Sequence, residues 1–164
     1  MSETRLHEFL NSHQILYTTI EHSPAYTAQE IAASSHTPGK ELAKSVIVKL
    51  DGRLVMAVLP ASYRINFDRL REASGAQRVE LANEGEFEEL FPDCQLGAMP
   101  PFGNLYGMEV LVDESLAKDD EIAFNACNHH ELIRLAFEDF RALVQPQILA
   151  FTWQPYVNEN RAES

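Results

Sequence analysis

Leu42-Ala43-Lys44-Ser45-Val46-Ile47-Val48-Lys49-Leu50, followed by Asp51-Gly52 and Arg53-Leu54-Val55-Met56-Ala57-Val58-Leu59, constrains the fold more than any other part of this chain. Two apolar, β-branched runs on either side of Asp-Gly predict a hairpin with a type I′ turn, which needs φ > 0 at both central residues. Period-two alternation places Lys44 on the same face as Val46, Val48 and Leu50. An ammonium group on an apolar face has two readings. Near the start of the strand it can snorkel to water, or it can wait at a pocket mouth for an anion.

Gly97-Ala98-Met99-Pro100-Pro101-Phe102-Gly103 is the second informative stretch. Proline fixes φ and lacks an N–H, while glycine permits φ > 0 and the close approach of another molecule. Such a loop is either a rigid turn between strands or a stiff presenter of backbone amides.

Leu6, Phe9 and Leu10 predict an opening helix to about Ser12, and a strand follows around Tyr17 to Glu21. Thr27-Ala28-Gln29-Glu30 has the form of a capping box for a short helix to about Ser34, with a turn at Thr37-Pro38-Gly39. Asn66 to Ala73, stopped by Gly75, reads as a helix, Gln77 to Leu81 as a short strand, and Asn83-Glu84-Gly85-Glu86 as a capped helix start. Met108 to Asp113 and Glu121 to Asn125 read as strands. Over 129–144, Leu132, Ile133, Leu135, Ala136, Phe140 and Leu143 favour one helix by periodicity, although 132–136 also fits a strand. From Gln145 onward, two prolines among apolar residues suggest an irregular strap, and Asn158 to Ser164 a loose tail.

At 164 residues the chain is expected to form one domain, taken as 1–157 with 158–164 as tail. Neither a membrane span nor a signal peptide is visible, which makes the cytoplasm the expected location. Cys94 and Cys127 are too few and too far apart for a disulfide framework or a CxxC site, so free thiols are expected. The net charge of −12 argues against a general nucleic-acid binder, DNA included. Its distribution softens that objection. Residues 1–82 carry nine Lys and Arg against nine Asp and Glu, and residues 83–164 carry four against sixteen, so the half holding Lys44 is neutral. No nucleophile elbow, Walker loop, His-Glu-x-x-His or dinucleotide fingerprint occurs. Cys127, His129 and His130 lack a second cluster at zinc-site spacing, so neither metal nor cofactor is expected. Glu84, Glu86, Glu88 and Glu89 read as a solvated helix face.

The chain resembles the YbaK/prolyl-tRNA-synthetase-associated domains, whose freestanding members hydrolyse mischarged aminoacyl-tRNAs. The resemblance covers about residues 3 to 144 and rests on four segments: His22-Ser23-Pro24-Ala25-Tyr26-Thr27-Ala28, Ala43-Lys44-Ser45-Val46, Gly97 to Gly103, and Phe124-Asn125-Ala126-Cys127-Asn128-His129. The last departs from the family pattern by carrying Cys127 where glycine is common.

This resemblance implies an α+β domain with a mixed, partly barrel-like sheet flanked by helices, and a strand to about Ala136 with a helix from about Glu138. It implies an aminoacyl-tRNA deacylase that orients an already activated ester, polarises its carbonyl and admits a water, assisted by the ribose 2′-OH. Lys44 would anchor the terminal phosphate, and the backbone from Gly97 to Pro101 would position carbonyl or water. Tyr26, Thr27, Ser45, Met99, Phe102 and His129 would contact substrate. The Pro-Pro-Phe form of the loop resembles the branch that clears alanine from proline tRNA. The expected partners are the aminoacyl-tRNA acceptor end and, secondarily, a synthetase. A silent module binding tRNA ends or a synthetase, and a metal-dependent hydrolase, are the competing readings.

Overall fold

The computed structural model describes residues 5–25, 30–31, 35 and 41–153. The chain order is α1 (Arg5–Ser12), β1 (Tyr17–Glu21), β2 (Leu42–Leu50), β3 (Arg53–Pro60), β4 (Arg64–Ile65), α2 (Phe67–Ser74), β5 (Val79–Leu81) and α3 (Glu84–Phe87). It continues through β6 (Glu109–Asp113), β7 (Glu121–Asn125), β8 (Glu131–Ala136), α4 (Phe137–Val144), β9 (Gln147–Leu149) and β10 (Thr152–Trp153). The expected hairpin forms from Ala43↔Pro60 to Leu50↔Arg53. Its turn has φ of 52° at Asp51 and 84° at Gly52, as a type I′ turn requires. The Asp51 carboxylate accepts the Gln77 and Arg78 amides at 3.0 and 2.8 Å, fastening the turn beside β5.

The main sheet has eight strands in the order β1-β8-β7-β2-β3-β6-β9, with β5 also on β2. It is mixed: β2 with β7, β3 with β6 and β6 with β9 are parallel, and the other pairs are antiparallel. With four flanking helices among the described residues, this is the α+β class expected. One edge of β2 is shared by two strands. β7 pairs with Leu42 and Ala43, and β5 with Val48 to Leu50, so among the described residues Lys44 to Val46 have no strand beside them on that edge. The sheet opens there.

Alternation along β2 and β3 feeds two cores. Ala43, Ile47, Met56 and Val58 join Phe102, Phe124 and Phe140 on one face. Val48, Leu50, Val55, Ala57 and Leu59 join Leu70 and Phe151 on the other. Helix ends follow the sequence: the Asn66 side chain caps α2 and Gly75 ends it at φ 79°, while Asn83 and Glu86 form a reciprocal capping box on α3. Arg5 donates to the Leu105 carbonyl and lies 5.0 Å from the Tyr106 ring centroid, holding α1 to the segment after the glycine-proline loop.

The strand-then-helix reading of 129–144 that the family resemblance implied holds, as β8 followed by α4, in place of the one helix that periodicity alone favours, while two other expectations are corrected. β8 lies between β1 and β7 with Glu131 to Ile133 all buried, so burial on both faces removes the alternation that marks a strand. The strap after Gln145 is ordered: β9 extends the main sheet beside β6 and β10 pairs with β4. Cys94 and Cys127 are bonded to each other rather than free, because the fold brings together sulfurs 33 residues apart. Thr27, the turn at Thr37-Pro38-Gly39 and the tail at 158–164 lie outside the described residues.

Candidate active site

The opening beside β2 leads to a cavity of about 220 Å³. Leu42, Ala43 and Lys44 of β2, Ala61 just after β3, Gly97 of the glycine-proline loop and Asn125 at the end of β7 line it. Residues from four separate stretches of the chain thus converge. At about 30 Å³ per water, the space equals roughly seven waters, room for a small aminoacyl group and a nucleophilic water.

Lys44 is half-buried. Burial first, and the Arg64 guanidinium second, push its pKa below the ordinary lysine value. Among the described residues no carboxylate forms an ion pair with it, whereas Lys49 on the opposite face binds both Glu80 and Glu86. A desolvated ammonium with a cationic neighbour and no anion is suited to receive one.

The loop turns only one end toward solvent. Gly97 is exposed at φ 84°, while Ala98 to Gly103 are buried. Phe102 is fully buried against Phe9, Phe124 and Phe140, and Met99 belongs to the same core. Pro101 is buried. Of the predicted loop contacts, the structure brings Gly97 to the cavity and leaves Pro101, Met99 and Phe102 behind it.

His129 lies across Gly97, where a Cβ on the glycine would meet its Cε1 at 3.5 Å. Its Nε2 is 2.9 Å from the Leu96 carbonyl and therefore donates, while its backbone N–H donates to the Gln95 side chain at 3.1 Å. Further bonds clamp the two segments together. The Gln95 amide donates to Cys127 O and the Cys127 amide to Ala98 O, alongside the Cys94–Cys127 bond. Cys127, where the family commonly has glycine, has φ 73°, the left-handed conformation that glycine favours. From the other side, the His22 and Ala25 amides donate to His130 O and His129 O.

Among the described residues, Ser45 Oγ and Asn125 Oδ1 are buried and have no hydrogen-bond partner. Unsatisfied buried acceptors are uncommon, and one on a cavity wall is placed for a ligand's donor. The motif containing Asn125 was visible in the sequence, but the position of its side chain on the wall was not. Tyr26 and Thr27 lie outside the described residues. Among those residues, one cluster of candidate metal ligands occurs, Asp93 with Cys94 and Cys127, and its sulfurs are bonded to each other.

A small cavity with a cation at its rim and, among its described lining residues, no Ser, Thr or Cys suits a substrate that is already an activated ester. The family model described as the aminoacyl-tRNA editing domain matches residues 22–143, and the chain belongs to that family. It is an aminoacyl-tRNA deacylase of translation quality control. The chain is 26% identical to the Multifunctional Ser/Thr-tRNA deacylase ProXp-y of Escherichia coli (strain K12), over 92% of this chain and 93% of that one. The chain is also 33% identical to a proline–tRNA ligase of Staphylococcus saprophyticus over 96 residues, 58% of this chain but only 16% of the ligase. A solved structure described as a candidate trans-editing enzyme for prolyl tRNA synthetase superposes with a TM-score of 0.78 at 19% identity, covering 92% of this chain and 96% of that one. Among the described residues no helix is long and apolar enough to cross a membrane.

Proposed function

We propose that the cavity at Lys44, Gly97 and Asn125 clears small amino acids from mischarged tRNA in trans, in the cytoplasm, with alanine on a proline tRNA as the favoured substrate. The observation that carries this reading is a cation with no ion-pair partner among the described residues, at the rim of a cavity of amino-acid size. Lys44 holds the phosphate of the terminal adenosine. The Gly97 backbone positions the ester carbonyl or the water, with Pro101 stiffening the loop, and His129 covers the aminoacyl group. Ser45, Tyr26 and Thr27 are proposed substrate contacts, whereas Met99 and Phe102 act on the size limit from behind the wall. The water oxygen adds to the carbonyl carbon, and its proton passes by way of the neighbouring 2′-OH to the ribose 3′-oxygen as the ester bond breaks. Free amino acid and uncharged tRNA result. Backbone donors aimed at developing charge can supply about 3 kcal/mol each, and proximity adds to that. The similarity to a proline–tRNA ligase supports a synthetase as a second partner.

Serine is a second reading, favoured by the unpartnered Asn125 Oδ1, which could accept from a hydroxyl. The test measures deacylation of alanyl, seryl, cysteinyl and prolyl esters on one tRNA, with and without the terminal 2′-OH. Small esters should be cleared and prolyl-tRNA spared, because a pocket excludes a larger group sterically but rejects a smaller one only by about 1 to 3 kcal/mol per methylene. Rapid prolyl-tRNA cleavage would refute the sieve. An undiminished rate on a 2′-deoxy terminus would refute assistance by the ribose, and Asn125→Leu should slow the seryl ester more than the alanyl if serine is the substrate.

A further inference from the structure

Lys44 also lines a second, open groove of about 450 Å³, bordered by Arg64, Phe67, Leu81 and Trp153. Three of the six large apolar side chains exposed among the described residues gather here: Phe67 at 39%, Leu81 at 61% and Trp153 at 41%. Such clustering marks an interaction site rather than ordinary surface. The groove also carries both Lys44 and Arg64, and among the described residues neither has an ion-pair partner in a chain of net charge −12. The platform is held in place. Trp153 stands opposite Arg64 in the β10–β4 register, Arg69 donates to the Thr152 carbonyl at 3.1 Å, and Phe151 is fully buried, its amide bonded to Asp113. Trp153 lies beyond residue 143, where the family match ends.

We infer that this groove takes the unpaired nucleotides immediately preceding the aminoacylated terminus, with a phosphate on Arg64 and bases stacked on Trp153 and Phe67. Paired cations beside aromatic faces are what single-stranded RNA requires, because phosphate gives affinity and every base has a stacking face. The inference rests on the editing reading, since Lys44 borders both spaces: the ester would lie in the small cavity while the chain leading to it crosses the groove.

Trp153 is the only tryptophan in the chain, so its fluorescence reports on the groove directly. The experiment titrates the full-length protein with an uncharged single-stranded RNA tetranucleotide ending in CCA. Saturable quenching is expected, and Arg64→Gln or Phe67→Ala should each weaken it about tenfold while leaving the thermal midpoint near wild type. With two phosphates neutralised, the logarithm of the binding constant should fall with the logarithm of salt at a slope of about −1.4. The absence of quenching, equal quenching by adenosine monophosphate alone, or unchanged binding by both variants would overturn the assignment. So would a dimer whose formation by itself shifts the signal, which would give the groove to a second copy. The probe carries no amino acid, so an inactive deacylase assay leaves this result standing, and failure here leaves the deacylase reading intact.

Discussion

Lys44 is the residue on which chemistry and stability pull apart. Its pKa is lowered in the folded state, so between that value and the ordinary lysine value the unfolded chain binds more protons and stability rises with pH. Below that window both states are protonated and the cost of burying the charge is fully present. Lys44→Ala should therefore abolish nearly all deacylation while leaving stability at pH 7 equal to wild type or higher, as read by urea unfolding beside a turnover assay. Wild-type activity should also decline with rising pH earlier than an ordinary lysine would dictate. At Gly97 the obstacle is conformational: a Cβ would make an ordinary 3.5 Å contact with His129, but φ of 84° disfavours any side chain. Gly97→Ala should cost about 1 kcal/mol of stability and at least tenfold in rate. Full activity would leave the loop as a plain turn. Lys44 and Gly97 were legible in the sequence because alternation and φ > 0 are local properties. Which side of the loop faces inward was not, so Phe102 and Met99 could not be told from pocket residues.

The β2–β3 hairpin, the α2 and α3 caps and β1 were readable because each depends on a few adjacent residues. β8 was hidden by its central place in the sheet, and the strap by its short strands, which acquire meaning only beside β4 and β6. Phe151 shows how much that strap contributes, being wholly buried with Leu70, Leu59 and Leu111. Phe151→Ala should cost about 3 kcal/mol or more, measured by denaturant unfolding. It should also red-shift Trp153 emission, because β10 would lose its anchor.

Across the whole molecule, the Cys94–Cys127 bond joins the stretch leading into the glycine-proline loop to the one leading into His129. Neither cysteine has a spacing that announces a pair, so only the folded chain reveals it. For 33 residues of separation, the chain-entropy model gives about 3 to 4 kcal/mol of stabilisation. Replacing both cysteines with serine should lower the thermal midpoint by that equivalent, and thiol titration of the unreduced wild type should find no free thiol. Activity at low temperature should survive, because neither sulfur lines the cavity.

Ala98 to Gly103 are buried, and of the loop Gly97 alone lines the cavity. The loop is therefore a fixed jig, and direct retuning of amino-acid preference comes from the facing walls. Ala61 is the adjustable part. Ala61→Val should narrow the gauge, depressing clearance of the larger acceptable ester while sparing alanyl-tRNA, and a saturation library at Ala61, Leu42 and Asn125 should yield altered preferences more often than one confined to 98–102, whose side chains act only through the wall.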